Sequence, residues 1–278
     1  MTDFNRRSVT LLALLAPFAR VWSQQESTSA VSEKPQAHRD TSPRSTFWAR
    51  NDQIAMLVYP KMTVLDLIGP QYMFALLEGA KVHLVAKSLT PVTSDTGVTI
   101  TPTISFEDCP KDLTVLFAPG GSDGGSQGVF ATMQDADTRA FMADRGSRAK
   151  YVTSVCTGSL ILGAAGLLKG YKATSHWAAR DVLADFGAIP TDARVVRDRN
   201  RITGAGVTAG LDFGLQMAAV LRDPTYAQCM QLLAEYDPHP PFHSGSLHTA
   251  SVEVQTTMRG LLSGFTASAH ALAERLSA

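Results

Sequence analysis

The chain is 278 residues long, and its 25 basic and 25 acidic side chains cancel. That balance removes the electrostatic case for nucleic acid or an anionic membrane surface as a partner. Hydrophobic content of 45% suits a globular protein with a sizeable core, and Cys109, Cys156 and Cys229, widely spaced and without a Cys-x-x-Cys pair, speak against a disulfide framework or a zinc site.

At the N-terminus, Asn5-Arg6-Arg7-Ser8-Val9 precedes an apolar run over residues 9–19 and then Val21-Trp22-Ser23. That order of basic, apolar and cleavage-like regions predicts a signal peptide over residues 1–23. The paired arginines resemble a twin-arginine export signal. A periplasmic or exported protein is therefore expected, with a plain basic start and a cytoplasmic location as the alternative. The apolar run of about 11 residues falls short of the about 17–25 that a membrane span needs, so no stable span is expected. Residues 24–50, rich in Gln, Ser, Thr and Pro, read as a disordered linker. The α/β domain is expected over residues 51–250, with a helical extension over 251–278.

Ile54-Ala55-Met56-Leu57-Val58-Tyr59 is a continuous apolar run, as in a parallel strand buried on both faces. A helix-containing segment over 63–78 follows, interrupted at Gly69-Pro70. Further strands are expected at 82–86, 98–100, 113–118 and 151–155. Helical spacing marks 135–148. A helix should open at Ser175-His176-Trp177, with Ser175 as its N-cap. Residues 194–197 and 201–203 flank Asp198-Arg199-Asn200 and should pair as a hairpin. Helices are expected over 208–221, 224–236 and 249–276. Strands alternating with helices imply a flavodoxin-like, doubly wound, mostly parallel sheet. Ligands then bind beyond the carboxyl ends of the strands, where Asp66, Gly120-Gly121 and Cys156 should converge.

Cys156 carries the chemistry. Tyr151 to Val155 reads as a strand that turns at Cys156 straight into the helical run after Thr157-Gly158-Ser159. A sharp strand–helix turn exposes its side chain, as in a nucleophile elbow. The helix start favours negative charge, so a depressed thiol pKa is expected. The alternative is a small buried hydrophobe, a common fate of free cysteine. The backbone N–H groups of Gly120, Gly121 and Ser122, with that of Thr157, could form an oxyanion-type pocket beside the sulfur; otherwise they belong to a flexible loop. Asp66, between apolar neighbours in Val64-Leu65-Asp66-Leu67-Ile68, should be partly buried. A carboxyl kept protonated there could serve as acid/base; a helix cap or an ion pair is the alternative. His176 reads as structural or pocket-lining. His239, His243 and His248 lack metal-ligand spacing, so no metal site is expected. Cys109 and Cys229 read as packing residues.

Several motifs resemble the ThiJ/PfpI-like superfamily, and within it the isocyanide (isonitrile) hydratases. They are Leu65-Asp66-Leu67-Ile68-Gly69-Pro70, Phe117-Ala118-Pro119-Gly120-Gly121, Thr153-Ser154-Val155-Cys156-Thr157-Gly158-Ser159, Ala173-Thr174-Ser175-His176-Trp177, Asp198-Arg199-Asn200-Arg201-Ile202-Thr203-Gly204 and Gly206-Val207-Thr208-Ala209-Gly210-Leu211-Asp212. The similarity spans most of residues 52–250. Cys-Thr-Gly-Ser is shared by many superfamily members, whereas Leu-Asp-Leu with the Asp-Arg-Asn-Arg hairpin is more specific to the hydratase-like branch. The resemblance implies a homodimer without a cofactor and a small isocyanide as substrate. Cys156 would attack its terminal carbon, Asp66 would serve as acid/base, and Thr157 and the Gly121 backbone would lie beside the sulfur. Other readings are a redox-responsive stress protein with an oxidisable cysteine, or a non-catalytic ligand-binding module.

Overall fold

The computed structural model describes residues 48–277. The predicted signal peptide lies outside these residues, as does all of the predicted linker up to residue 47.

Seven strands form one sheet: β1 (Gln53–Leu57), β2 (Lys81–Ala86), β3 (Ile104–Ser105), β4 (Val115–Ala118), β5 (Tyr151–Val155), β6 (Val195–Asp198) and β7 (Arg201–Gly204). Their order across the sheet is β6-β7-β5-β4-β1-β2-β3. Every neighbouring pair is parallel except the hairpin β6–β7, which pairs Val195 with Gly204 and Asp198 with Arg201. The continuous apolar runs follow from this placement. Ile54 to Leu57 are at most 1% exposed and all four residues of β4 are fully buried, because each strand has neighbours on both sides and helices above and below.

The sheet grows outward in two directions from the β1–β4 pair. The chain leaves β1 through helix α1 (Val64–Ala75) toward β2, and returns to β4 before moving to β5 on the other side. The carboxyl ends of β1 and β4 therefore flank the reversal point, where open α/β sheets form a crevice. Beyond β4 come α2 (Gly128–Gln134) and α3 (Ala136–Arg148). Helix α4 (Gly158–Ala164) follows β5, and α5 (Ala209–Leu221), α6 (Pro224–Leu233) and α7 (Val252–Ser277) complete the fold.

Helix α1 does not break at Gly69-Pro70 as expected; it runs through both residues. Pro70 removes one helical hydrogen bond, yet its ring is buried against Gly210 of α5, where a Cβ would stand 3.1 Å from the ring. At Gly214 a Cβ would stand 2.6 Å from Met73. Close packing of Pro70 and Met73 onto the glycine face of α5 outweighs the lost bond. Behind them, Phe74, Phe117 and Phe213 form an aromatic cluster with centroids 5.6–6.3 Å apart.

The segment after Ser175 also differs from expectation. Its regular part is a 3-10 helix, Asp181–Phe186, closed by Gly187 at φ 72°. Ser175 is fully buried and caps nothing; its hydroxyl bonds elsewhere, as described below. Helix α7 lies against this segment and against α2. Thr266 Oγ1 donates to Ala178 O (2.8 Å), His270 Nδ1 lies 2.6 Å from Asp185 Oδ2, and Phe265 stacks on Phe130. All three cysteines are free. Cys109 is buried, whereas Cys229 is exposed on α6 and packs no core.

Candidate active site

Cys156 is the first of the two turn residues, Cys156 and Thr157, that join β5 to α4. Its φ of 57° lies in the left-handed region, which costs a side-chain-bearing residue about 1–2 kcal/mol. The surroundings hold it there. Its N–H donates to Ala205 O (2.7 Å) and Gly204 O (3.1 Å), while its carbonyl accepts from Ser159 Oγ (3.1 Å) and Ser175 Oγ (3.0 Å). Strain that is over-determined by neighbours is a mark of functional positions. Here it holds the side chain beside Gly120, just past the end of β4. The turn also needs Gly158: a Cβ there would stand 2.1 Å from Ala118 O, inside the end of β4.

Asp66 sits in the first turn of α1 and is fully buried. It is not the helix cap, because Asp95 Oδ1 accepts from Val64 N–H (3.1 Å) instead. Asp66 Oδ2 accepts from Gly120 N–H (3.1 Å). Oδ1 has no hydrogen-bond partner among the described residues, and the Cys156 thiol is the side chain that most favours the charged form of this carboxyl. Gly120 explains how closely the parts approach. A Cβ on Gly120 would stand 2.6 Å from Asp66 Oδ2, 2.6 Å from Thr157 N and 2.8 Å from Cys156 Cβ. Carboxyl, helix-start N–H and cysteine thus surround one point, and only glycine leaves it open.

Burial pushes the Asp66 carboxyl up to about 7, and the hydrogen bonds from Cys156 and Gly120 only partly offset this. The thiol departs from expectation. Burial, and then the charge of Asp66, push Cys156 well above the ordinary thiol range; the Thr157 N–H acts in the opposite direction and does not prevail. Only 6% of Cys156 is exposed, so removal from water outweighs the helix start. The resting pair is therefore a thiol beside a carboxyl that titrates near neutrality.

The expected N–H pocket is also altered. Gly120 N–H is committed to Asp66, and Gly121 N–H donates to Thr157 Oγ1 (2.8 Å), whose hydroxyl in turn donates to Gly121 O (2.8 Å). Both glycine donors thus position the acid and Thr157 instead of facing an open pocket. Thr157 N–H remains beside the sulfur. Ser122 is exposed, and its carbonyl accepts from Val129 N–H. His176 is half-buried, stands near Gly206 and lies against the Trp177 ring; its Nδ1 accepts from Ala178 N–H, and burial lowers its pKa. Among the described residues no group of three or more His, Cys, Asp or Glu could hold a metal ion.

Two polar groups escaped the sequence reading. Ser175 fixes the Cys156 carbonyl, and Tyr59 Oη donates to Pro119 O (3.0 Å). Ser175 looked like a helix start and Tyr59 like the last apolar residue of a strand. The one available signal was a hydroxyl at a strand's carboxyl end. Beyond Tyr59 lies a cavity of about 730 Å³ that includes Leu57, Lys87, Phe106, Gln127 and Thr132 but not Cys156.

Residues 52–220 match the DJ-1/PfpI family. The isonitrile hydratase of Pseudomonas putida is 52% identical over 198 residues, which cover 71% of this chain and 84% of that protein. The crystal structure of a ThiJ/PfpI family protein from Pseudomonas syringae superposes with a TM-score of 0.81 at 66% identity, covering 86% of this chain and 98% of the other. Oxidized Toxoplasma gondii DJ-1, at 18% identity and a TM-score of 0.59, covers 67% of this chain and all of its own, and shares the fold.

Proposed function

The chain belongs to the DJ-1/PfpI family, and from that premise we infer that it is an isonitrile hydratase, a cysteine-dependent hydro-lyase that converts R–N≡C and water into an N-substituted formamide. The observation that carries this reading is Cys156 in a left-handed elbow beside the buried Asp66 carboxyl, in a chain 52% identical to a curated enzyme of that activity.

The chemistry follows from the proton inventory. At and above neutrality Asp66 spends much of its time as a carboxylate, while Cys156 keeps its proton. As sulfur bonds to the terminal isocyanide carbon, Asp66 takes the thiol proton and passes it to that carbon. The product is a thioimidate, R–N=CH–S–Cys156. Water then adds to the same carbon, one of its protons passing by way of Asp66 to the nitrogen; as the tetrahedral adduct collapses, its hydroxyl proton returns to the departing sulfur. The C–S bond breaks, the thiol is restored, and R–NH–CHO departs. Thr157 N–H, beside the sulfur, stabilises charge on it during both steps. A base with a pKa near the working pH is well matched to repeated proton exchange. A buried cysteine with a raised pKa also gains little from the oxidation-sensor reading, because sulfur oxidation follows thiolate character and exposure.

Two further parts of the reading concern assembly and location. A homodimer is supported by Leu65, Ile68 and Tyr72, which expose 44%, 39% and 40% of their surfaces along one face of α1 beside Asp66. Export to the periplasm is supported by Arg6-Arg7 and the apolar run behind them; cell fractionation with and without Arg6→Lys/Arg7→Lys tests it. The activity is tested with protein lacking residues 1–23 and a simple alkyl or aryl isocyanide. Formamide should accumulate with the parent enzyme and not with Cys156→Ala. No turnover above buffer would reject the activity.

A further inference from the structure

The peptide group between Pro119 and Gly120 is bonded at both ends. Its carbonyl accepts from Tyr59 Oη at 3.0 Å, and its N–H donates to Asp66 Oδ2 at 3.1 Å. Tyr59 is 5% exposed, so this hydroxyl competes with little water. Gly121 makes the approach possible: a Cβ there would stand 2.9 Å from Tyr59 Oη. The next peptide repeats the pattern. Thr63 N–H donates to Gly120 O (2.9 Å), while Gly121 N–H donates to Thr157 Oγ1 (2.8 Å). A peptide that accepts at oxygen becomes a stronger donor at nitrogen, because hydrogen bonds in a chain polarise one another.

We propose that Tyr59 is a positioning residue for the hydration reaction: through the Pro119–Gly120 peptide it holds and polarises the N–H that binds the acid/base Asp66. The assignment deepens the hydratase reading and rests on Asp66 as the acid/base. Tyr59 touches no reacting atom. It acts on the carboxyl through one peptide group, favouring the charged form that must accept the thiol proton. Tyr59 lines the cavity of about 730 Å³ and feels the charges of Asp66 and Cys156, so Tyr59→Phe removes the hydroxyl and keeps the ring.

The test reads the carboxyl directly. The neutral carboxylic-acid C=O band of Asp66 is identified in infrared difference spectra of the full-length protein by its absence in Asp66→Asn, and is then titrated. In the parent protein its midpoint is expected near 7. Tyr59→Phe should raise that midpoint by about half a pH unit or more, because the carboxylate loses part of its stabilising donor. 3-Fluorotyrosine at position 59, a stronger donor of the same shape, should lower it. A midpoint that is unmoved or lower in Tyr59→Phe overturns the proposal. Should Tyr59→Phe fail to fold, the fluorinated protein decides alone: a lower midpoint supports the assignment, and an unmoved or higher one overturns it. A packing role would leave both midpoints where they are. Since the band needs no turnover, absence of formamide production would defeat the hydratase reading without touching this result.

Discussion

Replacing Asp66 by Asn separates the carboxyl's cost in stability from its use in chemistry. In the folded protein burial moves its pKa from the ordinary 3.8 to about 7. A pKa raised by folding contributes stability that is complete below the unfolded value and is lost as pH rises through the folded one. A difference of roughly 3 units at about 1.4 kcal/mol each places the loss at about 4 kcal/mol between pH 4 and pH 8. Asn keeps the shape and can still accept from Gly120 N–H, but it never charges. Urea titrations at pH 5 and pH 8 should therefore show the parent protein losing several kcal/mol relative to Asp66→Asn at the higher pH. The same variant should form no formamide, having no group to take the thiol proton. If parent and Asp66→Asn lose stability in parallel over this range, the buried carboxyl does not titrate near neutrality and the proton inventory is wrong.

Gly120→Ala would press a methyl group onto Asp66, Thr157 N and Cys156 at once. Overpacking of this kind costs about 1–3 kcal/mol, and the displaced carboxyl should lower kcat/KM by about 100-fold or more; thermal melts and steady-state kinetics read both effects, and normal values for both would show that the corner yields easily. An isocyanide incubated with the parent enzyme and quenched in acid should leave its own mass on the peptide holding Cys156; label on Cys229, which is exposed, would instead indicate adventitious alkylation. Ile68→Glu places a charge on the apolar face of α1, and light scattering should then report monomers with the fold intact; a parent protein that is already monomeric would refute the dimer.

The sequence by itself determined the parallel sheet, because only strands covered on both faces can be apolar at every position, as Ile54 to Leu57 and Val115 to Ala118 are. It also determined that Asp66, Gly120 and Cys156 share one edge, since right-handed connections place every strand's carboxyl end on the same side. The β6–β7 hairpin was legible from its turn residues, and α7 from its spacing. Helix α1 was misread at Gly69-Pro70, where a local breaker is overruled by Gly210 and Gly214 on a helix 140 residues later in the chain. Ser175 was misread for the same reason, as its partner is a carbonyl 19 positions earlier.

The raised carboxyl of Asp66 was legible from its apolar neighbours, but the state of the thiol was not. A thiol at a helix start is expected to ionise readily, and Cys156 does not. Whether the helix start or desolvation prevails depends on how much water reaches the sulfur and on what charge faces it. Residues from β1, α1, β4 and β5 set both together. The number of bonds around the Pro119–Gly120–Gly121 turn was likewise a matter of packing, because Tyr59, Thr63, Asp66 and Thr157 meet it only once the sheet has assembled. Local pattern chose the residue types and the edge; burial in three dimensions chose which of them hold protons.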